Sequence, residues 1–156
     1  MGRGKKRRSE RALAVQVLYG LSFAPADGPD ELRRAFLRSP RNAGRAEEAA
    51  LAGYAFALVE GVWGNSARLD EIIARHAVNW RLDRLGRIEL TLLRMAVFEL
   101  LFCRDVPPKA VINEALDLAR AFSGEESIAF INGILDAAAR AGGDGAVITQ
   151  TISGII

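Results

Sequence analysis

Apolar residues recur at helical spacing along almost the whole chain, and Pro, Gly and Asn punctuate the pattern into segments. Ser9 can cap a first helix, in which Ala12, Val15, Val17, Leu18 and Leu21 form a broad apolar stripe. The segment A-P-A-D-G-P-D, residues 24–30, reads as a loop. A short helix follows near Asp30 to Leu37, and S-P-R-N-A-G, residues 39–44, breaks it. A third helix is expected over Arg45 to Val62, with Leu51, Tyr54, Ala55, Leu58 and Val62 on its inner face. Trp63-Gly64-Asn65-Ser66 reads as a stop followed by a new N-cap, and a fourth helix runs to about His76.

The second half is patterned more strongly. Residues 79–86 form a hinge-like connection with Asp83 as its N-cap. Arg87 to Phe102 is then apolar on nearly every side, as suits a helix at the centre of a bundle. Pro107 and Pro108 start a sixth helix, because the first turn has no use for the N–H that proline lacks. That helix ends near Phe122. Ser123 and Glu126 have the spacing of a capping box for a seventh helix, which runs to about Arg140. Residues 141–156 are glycine-rich, then apolar and β-branched, and fit either a strand or a disordered tail. The expected fold is all-α, about seven helices forming one domain over residues 9–140, behind a flexible basic arm at 1–8.

Charge adds an asymmetry. The first eleven residues carry six basic side chains (Arg3, Lys5, Lys6, Arg7, Arg8, Arg11) against Glu10 alone, whereas the remainder carries 15 basic and 18 acidic residues. A positive arm on a mildly acidic body fits nucleic acid, or a solubilising tail. One cysteine, Cys103, precludes an internal disulfide and fits a reducing, cytoplasmic setting. The most apolar segment, Leu90 to Cys103, is broken by Arg94 and Glu99, so no membrane span is expected.

Catalytic and metal chemistry are poorly supplied. With His76 and Cys103 the only residues of their types, a zinc site would need several carboxylates, and no Gly-rich phosphate loop joins a strand to a helix. No enzyme activity, metal or cofactor is expected. Polar residues inside apolar helices are more informative. Asn113 and Asn132 are expected to tie helices together by buried hydrogen bonds. Glu89 and Arg94 either pair with each other or mark a helix face that receives a partner protein. Glu125 and Glu126 suit a helix N-terminus, where the dipole favours acids.

The first helix offers a binding surface. Arg7, Arg8 and Arg11 can neutralise phosphates, and Gln16 and Tyr19 lie further along. A tyrosine beside arginines suits single-stranded RNA, whose splayed bases stack on aromatic rings. Packing beneath the following loop would equally explain Tyr19.

Four segments together resemble the NusB family of bacterial transcription antitermination factors. They are R-R-x-x-R followed by A-V-Q-V-L-Y (7–19), L-G-R-I-E-L-T-L-L-R-M-A-V-F-E-L (85–100), D-V-P-P-K-A-V-I-N-E-A-L-D-L-A (105–119) and F-I-N-G-I-L-D (130–136). The resemblance covers about Arg7 to Arg140, with Leu21 to Arg81 matched only in helical pattern. It implies two packed three-helix subdomains plus one helix, and no catalysis. It implies binding of boxA RNA together with NusE, a small-subunit ribosomal protein, within the antitermination complex of RNA polymerase. Carried over residue by residue, it nominates Arg7, Arg8, Arg11, Gln16, Tyr19, Phe122 and Ser127 as RNA contacts. It nominates Glu89, Arg94 and Glu126 for the protein partner. Ser9 stands where the family often has a third arginine, so no phosphate contact is assigned there.

Two other readings compete. A similar helical module opens certain rRNA cytosine methyltransferases, which would place the chain in rRNA modification. A helical interaction scaffold without an RNA role is the other. The sequence permits a monomer or a homodimer.

Overall fold

A computed structural model describes residues 2–77 and 85–143. The expected Asp83 cap and the apolar run beyond Gly143 lie outside the described residues. Seven α-helices are formed, with no strand among the described residues. The chain divides into two compact units, Met1–Asn65 and Ser66–Ile156.

In the first unit, α1 spans Arg3–Phe23, α2 Pro29–Leu37, a 3-10 turn Pro40–Asn42 and α3 Glu47–Leu51. Helix α1 starts well before Ser9, with Gly2 as its N-cap. The expected flexible arm is thus the opening turns of a helix. Lys and Arg are strong helix formers, and once the helix nucleates nothing in G-K-K-R-R stops it from extending. Leu13, Ala14, Val15, Val17 and Leu18 of α1 are buried, as are Leu32 and Phe36 of α2. The Phe36 and Phe56 rings pack with centroids 5.1 Å apart.

The expected helix over 45–62 is interrupted at Ala52 and Gly53, and α4 (Tyr54–His76) begins after the break. The cause is remote in sequence. Glu10 of α1 is nearly buried, and its Oε2 accepts a 2.8 Å hydrogen bond from the N–H of Ala55. A carboxylate there satisfies one of the orphan donors of the α4 N-terminus and complements its dipole. Gly53 leaves room for it: a Cβ would lie 3.3 Å from the Glu10 carboxylate.

Within Trp63 to Ser66, where the sequence places a stop and a new start, α4 consists of two helical stretches that meet at a kink. Asn65 leaves helical geometry (φ −123°, ψ 15°), and its side-chain amide donates to the Gly61 carbonyl at 2.7 Å. Such back-bonding to the preceding turn supports a kink.

In the second unit, α5 (Arg87–Phe102), α6 (Pro108–Phe122) and α7 (Glu125–Gly143) pack pairwise. Helix α5 is buried on most of its circumference, with Leu92, Leu93, Met95, Ala96 and Val97 almost inaccessible. Its N-cap is Gly86. Helix α7 starts at Glu125, one residue later than a Ser123–Glu126 capping box would set, and the Ser123 hydroxyl donates to Glu89. Asn113 and Asn132 are both exposed, so they do not tie helices together through buried bonds. Each lies on the outer side of an amphipathic helix whose apolar stripe alone carries the packing.

Candidate nucleic-acid interface

Helix α1 carries two different polar faces. Residues seven or eleven positions apart return to the same side of a helix, whereas neighbours diverge by about 100°. Arg7 and Arg11 share one side, where their guanidinium carbons lie 4.6 Å and 5.7 Å from the Tyr54 ring centroid. Arg11 is only 4% exposed. Packing against Tyr54 leaves it little open surface. Arg7 is half-buried in the same arrangement.

Lys5, Arg8, Gln16 and Tyr19 point to the other side and are exposed. Tyr19 is 39% exposed and meets Phe23, 59% exposed, edge to face with centroids 5.1 Å apart. From Lys5 to Phe23 this stripe runs about 27 Å at the helical rise per residue. It starts cationic and ends aromatic. Phe23 had no signal in the sequence beyond its position one turn after Tyr19.

The second unit presents Phe122, 38% exposed at the end of α6, and Glu126, exposed in the first turn of α7. Ser127 is buried, and its hydroxyl bonds Glu89 Oε1 at 3.0 Å. In this structure its hydroxyl is used inside the second unit. Ser123 donates to the same oxygen at 2.5 Å, and the two serine hydroxyls are 2.8 Å apart. Burial alone would raise the Glu89 carboxyl. The hydrogen bonds from Ser123, its own backbone N–H and Ser127 outweigh burial and hold it below the usual carboxylate range.

Glu89 and Arg94 do not pair with each other. Positions five apart on a helix point in different directions. Arg94 instead forms a two-pronged ion pair with Asp70 of α4, Nε to Oδ1 at 2.7 Å and Nη2 to Oδ2 at 2.8 Å. Both expected partner-facing residues are thus engaged inside the second unit. Among the described residues, no three His, Cys, Asp or Glu side chains are grouped to hold a metal. No described helix is long and apolar enough to cross a membrane.

Comparison with known proteins agrees with the motifs. The NusB family model matches residues 8–140. A transcription antitermination protein NusB from Desulfovibrio desulfuricans is 57% identical over 144 residues, covering 90% of this chain and 88% of that protein. One from Myxococcus xanthus is 42% identical over 130 residues, covering 83% and 91%. Among solved structures, T. maritima NusB superposes with a TM-score of 0.70 at 30% identity, covering 86% of this chain and 90% of that one. A crystal structure of antitermination factors NusB and NusE in complex with double-stranded RNA superposes with a TM-score of 0.72 at 29% identity, covering 88% and 98%. Helical architecture, motif content and a match over most of its length agree: the chain belongs to the NusB family.

Proposed function

We propose that this chain is a transcription antitermination factor that binds boxA RNA together with the ribosomal protein NusE. The observation that carries the reading is the exposed stripe of α1, cationic at Lys5 and Arg8 and aromatic at Tyr19, in a chain of this family. Phosphates bind the cationic end, and an unpaired base stacks on Tyr19. Gln16 supplies amide hydrogen bonds between them. Arg7 contributes from the edge, and Arg11 holds Tyr54 and the helix in position. Phe122 and Glu126 are the contacts that the second unit contributes, to RNA and to the protein partner respectively. A family member solved together with NusE and RNA supports both partners. The protein acts by binding, without catalysis, in the cytoplasm where transcripts are made.

Fluorescence anisotropy with a boxA oligonucleotide, with and without NusE and at several salt concentrations, tests this. Each phosphate contact to a single strand contributes a slope of about −0.7 in log K against log salt. Replacing Lys5 and Arg8 by Gln is expected to flatten that slope. Tyr19→Ala is expected to cost about 1–3 kcal/mol of binding. Absence of binding by the wild type even with NusE overturns the reading.

A further inference from the structure

The end of the α1 stripe opens onto a groove that the reading above leaves unused. It lies between α1 and the segment after α2, is lined by Gln16, Gly20, Ala24, Arg38, Ser39 and Pro40 among others, and encloses about 310 Å³. Its floor is apolar. Its rim carries the Gln16 amide on one side and the exposed Arg38 on the other. Tyr19 and Phe23 are exposed chain neighbours of its lining residues Gly20 and Ala24. A Cβ built on Gly20 meets no atom within 4 Å, so the groove is open space at the point where the helix surface is lowest.

We infer that this groove and the Tyr19–Phe23 pair receive a second unpaired nucleobase, from the nucleotide that follows the one stacked on Tyr19. The chemistry selects this occupant. An aromatic base needs a flat apolar face to stack on, a donor and acceptor for its edge, and a cation for its phosphate. Gln16 and Arg38 line the groove, and Phe23, the chain neighbour of its lining residue Ala24, supplies the ring. The groove is also continuous with the proposed RNA surface, because Gln16 belongs to both. Arg34, Arg38 and Arg41 are all exposed on α2 and the turn after it, so the surroundings favour a polyanion. An apolar peptide would gain nothing from those cations. The inference rests on the proposed RNA-binding function, and extends the bound strand past Tyr19.

The test uses the full chain and RNA of increasing length. The shortest boxA oligonucleotide that binds is extended by one to three nucleotides at its 5′ or its 3′ end. One of the two extensions is expected to tighten binding of the wild type. Phe23→Ala is expected to abolish that gain, roughly five- to a hundred-fold for a lost stacking partner, measured as the ratio of long to shortest oligonucleotide affinity in the same variant. Gly20→Leu is a second variant. It adds a side chain at the groove, where a Cβ meets no atom within 4 Å, and exchanges a helical glycine for a better helix former. It is expected to remove the same gain. If neither extension tightens binding, or if both variants keep the gain, the inference is overturned while the proposed function stands. If Phe23→Ala weakens NusE binding but not the gain from extension, the groove serves a protein and the inference is overturned. Failure of the shortest oligonucleotide to bind overturns the function itself, and this inference with it.

Discussion

Replacing Glu10 by Ala removes the acceptor that holds the start of α4 to α1. The 2.8 Å bond from the Ala55 N–H is a charge-assisted helix cap. Loss of a cap costs about 0.5–2 kcal/mol, and loss of a bond to a charged group about 1.5–3 kcal/mol; both describe the same bond and are not added. Arg45 adds little, since its Nη2 lies 3.5 Å from Glu10 Oε1 and its side chain is 30% exposed. It also keeps a 3.1 Å bond to Asn42 Oδ1. The expected loss is about 2 kcal/mol, a Tm fall of roughly 4–8 °C for a chain of this length. Glu10→Gln retains an acceptor oxygen without the charge and is expected to lose about half as much. Urea denaturation followed by far-UV circular dichroism measures both. Amide hydrogen exchange at Ala55 reads the bond directly and is expected to quicken in Glu10→Ala. A loss below about 0.5 kcal/mol for Glu10→Ala, or equal losses for Ala and Gln, refutes the capping argument.

Three further outcomes follow from the second unit. Glu89 has a lower carboxyl pKa folded than unfolded, so its contribution is full above the usual carboxylate range and is lost as pH falls through that range to the folded value. Urea midpoints are therefore expected to drop on acidification below about pH 4.3, and Glu89→Gln to flatten that limb of the profile. A double-mutant cycle of Arg94→Ala and Asp70→Ala is expected to show coupling of about 1 kcal/mol, because both side chains are about a quarter to a third exposed and the pair is two-pronged. Gly86→Ala places a Cβ against the Glu89 carboxylate and is expected to cost more than the roughly 0.5–1 kcal/mol that separates alanine from glycine at an N-cap. In a Glu89→Ala background, thermal melts are expected to show that excess disappear.

The sequence pattern located α5 at Arg87–Phe102 and α6 from the proline pair to near Phe122, because these boundaries are set locally, although the cap before α5 is Gly86 and not Asp83. It also located the α1 stripe, with Arg8, Gln16 and Tyr19 on one exposed side. What it missed depends on pairing across distance. Glu10 reads as one acid among basic residues, and nothing near it indicates that it caps a helix 45 residues on. Arg11 reads as a phosphate ligand until Tyr54 is placed against it. Ser123 has the spacing of a cap, but Glu89 from another helix takes its hydroxyl. Asp70, which holds Arg94, lies in a segment whose pattern gave only a helix. Local signals fix where helices start and stop. Which polar residue is spent on packing is decided by tertiary partners that periodicity does not name.

Helix α1 begins at Arg3, and this bears on the thermodynamics of RNA capture. An arm that ordered only on contact would lose about 1–2 kcal/mol of backbone entropy per residue at that moment. Its association would also carry the large negative heat-capacity change of coupled folding. Here the cationic turns are already wound, so that entropy is lost when the protein folds and not when it meets its ligand. Titration calorimetry across temperature is accordingly expected to give a small heat-capacity change, set by stacked bases and displaced ions.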